Sequence, residues 1–175
     1  MARGDRRLAL AEPASRLLVQ AQLWLYTGSA HPRELRMTDA VAASLQTTLG
    51  EIGVVSREDG RAVIEYEVGP QMCHSGGVAQ GGFVCGWMDA AMSHASLSLL
   101  PEMTPMSLEL KVSYFAPARP GRVIAEGWIE RRGRATCFAE GRLIDAAGRV
   151  LAKASSTIRL IPRDAVEASA RRAME

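Results

Sequence analysis

The spacing of apolar residues changes twice along this chain. Up to residue 48 it is helical: Leu17, Leu18, Ala21 and Leu25 share one face of a segment that Pro13 opens and Gly28 ends, and Pro32 opens a second through Leu35, Ala42 and Leu45. From Gly50 the period becomes two. Residues 52–56 and 62–68 flank Glu58-Asp59-Gly60 and predict a β-hairpin, Gly69 and Pro70 end it, and residues 71–79 predict a connecting loop. A longer run follows, in which residues 83–100 carry a single charge, Asp89, before Pro101 closes them. Small and apolar residues cover every face of this run, which predicts a helix enclosed by the fold. At about 1.5 Å per residue it spans roughly 27 Å, enough to cross a small domain.

Four strand-length runs come next. Met106, Leu108, Leu110, Val112 and Tyr114 alternate with Ser107, Glu109, Lys111 and Ser113, so residues 106–116 predict a strand with one buried face. Pro117 and Pro120-Gly121 predict a turn, and residues 123–131, 135–144 and 150–161 predict three more strands, with Pro162 stopping the pairing. Small residues recur at Ala125, Gly127, Ala135, Ala139, Gly141, Ala152 and Ala154, leaving room for something to lie against the sheet. Strand, strand, buried helix and four strands together predict an α+β fold, an antiparallel sheet wrapped around a long central helix. The expected domain is 49–162, with an N-terminal helical extension over 1–48 and a flexible polar tail over 163–175.

Composition narrows the function without naming it. The 175 residues are 47% hydrophobic and 23% charged, which suits one globular domain, and a formal charge of +2 is too small to imply nucleic acid. Arginines at 3, 6, 7 and 16 are interrupted by Asp5 and Glu12, so no targeting segment is read, and no stretch approaches the roughly 20 apolar residues of a membrane span. A cytoplasmic protein is expected. Cys73, Cys85 and Cys137 are odd in number and widely spaced, which indicates neither a disulfide framework nor a metal site.

The chemistry gathers at the start of the buried run. A carboxylate there loses hydration, so Asp89 needs a partner or a task. Gly81 and Gly82 let an oxygen-bearing ligand approach the bare amides of a helix N-terminus, an arrangement suited to an oxyanion hole. His74 in the preceding loop is either exposed to water or lines the site, and the Cys73-His74 pair is the one place where a thiol has a histidine neighbour.

The segment from about residue 49 to 161 resembles the hotdog-fold thioesterases of the PaaI-like and 4-hydroxybenzoyl-CoA thioesterase superfamily. The resemblance rests on Gly-Gly-x6-Asp at 81–89, on Ser-Leu-Glu-Leu-Lys-Val-Ser-Tyr-Phe-Ala-Pro-Ala-Arg-Pro-Gly at 107–121, and on Arg-Gly-Arg at 132–134, in that order. It implies an acyl-CoA thioesterase in which the Gly81 amide points at the thioester carbonyl and Asp89 is general base or nucleophile. Ser107 and Ser93 match hydroxyl positions of some members. Gln80 replaces the usual His before Gly-Gly, and His74 stands where Asn or Gln is usual, so His74 either positions the water or supplies the base itself. Gln80, Gly82, Phe83, Trp87, Arg132 and Arg134 are the expected substrate contacts, and Lys111, Arg119, Arg132 and Arg134 are the charges available for the nucleotide end of coenzyme A. No cofactor or metal is implied, since coenzyme A enters as part of the substrate.

Gly81 and Asp89 lie about 12 Å apart along one helix, too far to flank one carbonyl, which predicts a homodimer with shared sites; the resemblance extends this to a dimer of dimers. Two other functions compete, an enoyl-thioester hydratase and a non-catalytic acyl-thioester sensor or scaffold. Asp89-x4-His94 superficially suits the hydratase, but residues five apart differ by roughly 140° on a helix and do not converge.

Overall fold

The computed structural model describes residues 46–174. The two helices expected over 13–45 and the N-terminal arginines lie outside these residues. The described elements are β1 (Glu51–Glu58), β2 (Arg61–Val68), a 3-10 turn (Pro70–Met72), α1 (Gly81–Leu99), β3 (Met103–Tyr114), β4 (Gly121–Arg132), β5 (Thr136–Asp145), β6 (Val150–Pro162) and α2 (Arg163–Met174). The hairpin turns on Asp59 and Gly60, both at positive φ (47° and 73°), the mirror-image turn whose twist matches paired strands. All pairings are antiparallel, and the sheet runs β1-β2-β4-β5-β6-β3, so β1 and β3 are its edges.

The long helix lies across one face of this sheet. Val84, Trp87, Met88, Ala91, Met92 and Ala95 recur at helical spacing and are all buried. The small residues of the strands set the distance of approach. A Cβ added to Gly127 would sit 2.5 Å from the backbone of Ala91 and Met92, and one added to Gly141 would sit 3.4 Å from the Met92 side chain. Ala125, Ala139, Ala152 and Ala154 complete the floor, while Ala135 is exposed. Trp87 is fully enclosed, and its indole N–H donates to the Leu49 carbonyl at 2.8 Å.

Three expectations need correction. The helix is not enclosed on every side: Gly82 is exposed and Cys85, Gly86 and Asp89 are only half-buried, because the sheet covers one face and this stripe lies on the other. The alternation in β3 does not run unbroken, because Ser107 pairs with Ile158 and Glu109 with Thr157, so Leu108 is an extra residue in a β-bulge. The bulge resets the phase and turns Ser107 onto the helix side together with Leu110 and Val112, while Leu108 is exposed. Lastly, the polar tail forms α2, with Asp164 in its first turn and Arg171 and Arg172 in its last, the charge order that suits a helix dipole.

Candidate active site

Helix α1 begins one residue after Gln80, whose side chain caps it by accepting a hydrogen bond from the Gly82 amide at 2.7 Å. The Phe83 amide reaches the Gln80 carbonyl at 3.0 Å. Of the first three amides, that of Gly81 alone has no protein partner among the described residues. It opens beside a cleft of about 470 Å³ walled by Val84, Phe115, Ala118, Leu143, Leu151 and Ala152, with His74 and Gln80 at its polar side. Such a cleft is large enough for a small-molecule ligand and is largely apolar. An uncommitted N–H at the positive end of a helix dipole faces it, which suits an oxygen acquiring negative charge.

Tyr114 forms the wall directly over this amide. Its hydroxyl donates to the Gly81 carbonyl at 3.1 Å and lies 3.2 Å from the Cys85 thiol. A Cβ on residue 81 would sit 3.0 Å from that hydroxyl, a tight contact with the tip of an exposed side chain, so glycine here eases close approach and serves no unusual φ. The Cys85 hydrogen bond, then burial, push the phenol up to about 12, which keeps it a neutral donor at physiological pH.

Asp89 lies two turns further along α1, and Ser107 donates to its Oδ1 at 2.5 Å. That contact depends on the bulge at Leu108. Because α1 runs antiparallel to β3, Gly81 meets Tyr114 and Asp89 meets Ser107, seven residues back along the strand. The amide and the carboxylate of one chain therefore stand at separate places, as their spacing in the sequence implies.

The remaining expected residues divide between the two places and the core. His74 is exposed on the cleft side; its Nδ1 accepts the Gly76 amide at 3.0 Å, which leaves the proton of the neutral ring on Nε2. The Cys73 thiol is directed to the Gly69 carbonyl, so Cys73 and His74 do not form a nucleophile and base. Ser93 is buried one turn beyond Asp89, and the hydroxyl bonded to that carboxylate is Ser107's. Phe83 is half-buried against Trp87, with ring centroids 6.2 Å apart. Trp87 belongs to the core and not to the cleft wall, since none of its surface is open. Arg132 and Arg134 are exposed at the β4–β5 turn, and neither lines the cleft. Sequence reasoning assigned no site role to Tyr114, Leu143 or Leu151. Tyr114 lies within the 107–121 run that carries the resemblance, so its position was open to inspection; Leu143 and Leu151 read as ordinary strand residues.

Residues 76–152 match the sequence pattern described as the Thioesterase superfamily. A protein of Saccharolobus solfataricus provisionally named an esterase is 31% identical over 104 residues, 59% of this chain and 74% of its own. The chain belongs to the thioesterase superfamily. The fold agrees: the PaaI protein from the phenylacetic acid degradation operon of Escherichia coli superposes with a TM-score of 0.63 at 18% identity, over 70% of this chain and 89% of its own. A Streptococcus mutans protein solved with acetyl-CoA bound gives a TM-score of 0.59 at 22% identity, over 63% and 88%. In this thioesterase-superfamily chain the six-stranded sheet and α1 are the hotdog fold, and the matched stretch contains Gly81, Asp89, Ser107 and Tyr114. Among the described residues no helix is long and apolar enough to cross a membrane.

Proposed function

We propose that the protein hydrolyses acyl-CoA thioesters to the free acid and coenzyme A. The observation that carries this reading is the Gly81 amide, uncommitted at the head of α1 and open to an apolar cleft. The acetyl-CoA held by the Streptococcus mutans relative supports the choice of carrier.

The thioester oxygen takes the Gly81 N–H. As an oxygen nucleophile adds to the carbonyl carbon, charge moves onto that oxygen and the donor binds it more strongly. Removing one such donor costs about 10²- to 10³-fold in kcat. Asp89 either takes the proton from the attacking water or adds to the carbon itself, forming an anhydride that water then opens. In both routes the C–S bond breaks and the thiolate leaves, to be protonated as coenzyme A. Ser107 fixes one carboxylate oxygen and leaves the other for the reaction, while Ser93 lies one turn further along the same helix. His74 stands at the cleft rim, where its Nε2–H can hold water; its other nitrogen is engaged by the Gly76 amide, which leaves the role of base to Asp89. Gln80 and Gly82 shape the turn that presents the amide, and Phe83 flanks it.

A two-fold axis places Asp89 of a second chain opposite Gly81 of the first, making an isologous homodimer the smallest assembly with a complete site. Edge strand β3 and the half-covered stripe of α1 lie on the side where that partner would sit. The ladder row Ser107, Ile158, Cys137, Arg132 brings Arg132, and Arg134 beyond it, along with the partner's carboxylate, within reach of the carrier.

Asp89→Asn tests the chemistry. Across a panel of acyl-CoAs with thiol release as the readout, the variant should lose at least about nine-tenths of kcat while still binding substrate; retention of more would sink the assignment. Hydration of an enoyl-CoA, or binding without turnover by the unaltered protein, would favour the hydratase or the sensor instead.

A further inference from the structure

Beside the first cleft lies a second, of about 320 Å³, sharing Pro117 and Leu151 with it as common walls. Its lining carries three guanidinium groups, on Arg119, Arg122 and Arg149. Two are already paired: Arg122 holds Glu65 at 3.0 Å, and Arg149 holds Asp145 at 3.1 Å. Asp145, the one carboxylate of the lining, also accepts the Ala147 and Arg149 amides, so it is tied into its own turn rather than free to meet a ligand. Arg119 has no carboxylate partner among the described residues. After those two ion pairs are counted, the unneutralised charge of the cleft is the one on Arg119.

The placement of Arg119 is stiff. Pro117 and Pro120 fix φ on either side of it, and the Ala118 carbonyl accepts the Ala79 amide at 2.8 Å, anchoring the segment to the loop before α1. The Arg119 Nη1 comes within 4.0 Å of where a Cβ on Gly77 would lie, so the guanidinium overhangs that same loop. A molecule whose carbonyl sits at Gly81 therefore meets, on leaving the first cleft past Pro117, an exposed fork of N–H donors with one net positive charge. Guanidinium groups match phosphate oxygens in geometry as well as in charge.

We infer that this second cleft binds the phosphate-bearing end of the thioester carrier, with Arg119 as its anchor and Arg149 and Arg122 as flanking donors. The inference rests on the thioesterase reading for the carrier, and of the four charges that the sequence offers it assigns the phosphates to Arg119 rather than to Lys111, Arg132 or Arg134. The shared chemistry is a phosphate ester on a pantetheine arm, found both in coenzyme A and in carrier-protein thioesters.

Direct titration tests it without turnover. Pantetheine, 4′-phosphopantetheine and coenzyme A are titrated into the wild-type protein, Arg119→Ala, and Arg142→Ala as a control from the far face of the sheet, where Arg142 pairs with Glu126. Arg119→Ala should weaken coenzyme A about tenfold or more, an effect that shrinks as salt rises, while pantetheine binds all three proteins alike. Weakening for coenzyme A alone assigns the nucleotide phosphates. Weakening for 4′-phosphopantetheine as well assigns the phosphate next to the arm, which carrier proteins share. Both results support the cleft. Equal affinity of wild type and Arg119→Ala for both phosphate-bearing compounds overturns it, as does an equal loss in Arg142→Ala. Hydrolysis of acyl-pantetheine is measured separately: its absence would count against the hydrolase and leave the binding result standing.

Discussion

Tyr66 is enclosed in the core beside Trp87, yet its hydroxyl has no hydrogen-bond partner among the described residues. Burial, and next the charge of Glu51, push its pKa upward, so the hydroxyl stays protonated and unpaired. An unmet buried hydroxyl costs about 1–3 kcal/mol. Tyr66→Phe keeps the ring, so stability should be unchanged or rise by up to about 1 kcal/mol, read as a shifted denaturant midpoint at constant slope; a clear loss would mean that the hydroxyl has a partner in solution. His94 presents the same situation with a titratable group. Its Nδ1 is buried without a partner among the described residues, and burial first, then Arg57, hold its pKa below the usual value near 6.5. The folded state therefore binds fewer protons than the unfolded state as pH falls through that usual value. The His94 contribution is complete above it and is lost on acidification. Between about pH 7.5 and about 5.5 the wild type should lose more thermal stability than His94→Gln, and an identical loss in both would remove His94 as the cause. The sequence placed Tyr66 in a strand and His94 on the helix, but which polar atom lacks a partner depends on neighbours from distant segments, and no local pattern records that.

The approach of α1 to the sheet is fixed at Gly127, where one methyl group would meet helix backbone at 2.5 Å. Backbone atoms of a packed helix cannot step aside singly, so Gly127→Ala should cost about 2–3 kcal/mol, in the range of overpacked cores; a change below about 0.5 kcal/mol would show the interface to be softer than it looks. The strands and the central helix were legible because each has its own period. The bulge in β3 was hidden by that same clarity: from Met106 to Tyr114 apolar and polar residues alternate without a fault, and the pattern cannot show that Leu108 is set aside while Ser107 turns toward Asp89. Helix α2 was missed for another reason. It is mostly polar, with Val166 the one buried apolar residue among those whose side chains are described, so few apolar positions announce it.

At the level of the whole molecule, Gly81 and Asp89 were readable as a pair, whereas the cleft was not, because its walls come from residues 74, 78–81, 84, 114–118, 143 and 151–152. The shared site can be tested by mixing chains. Gly81 is the first residue of α1, where proline is tolerated, so Gly81→Pro removes the amide while sparing the helix, and the exposed Tyr114 side chain can swing aside from the added ring. Refolded together, Gly81→Pro and Asp89→Ala chains should form mixed dimers with one intact site of the two, regaining about half the wild-type activity per mixed dimer. A dead mixture, with mixed dimers demonstrated, would confine each site to one chain. The two edges of the sheet differ in a way that bears on how far such association can go. Strand β3 has an unbroken stretch from Glu109 to Tyr114, whereas β1 slips register twice, between Glu51 and Gly53 and between Val54 and Ser56. Kinked edges are poor templates for another strand. In the language of polymer chemistry, a building block with two reactive ends propagates and one with a single reactive end terminates. The two kinks in β1 give this fold the character of a terminating unit: the homodimer proposed above, if joined through β3, would end at two chains instead of running on into a fibre.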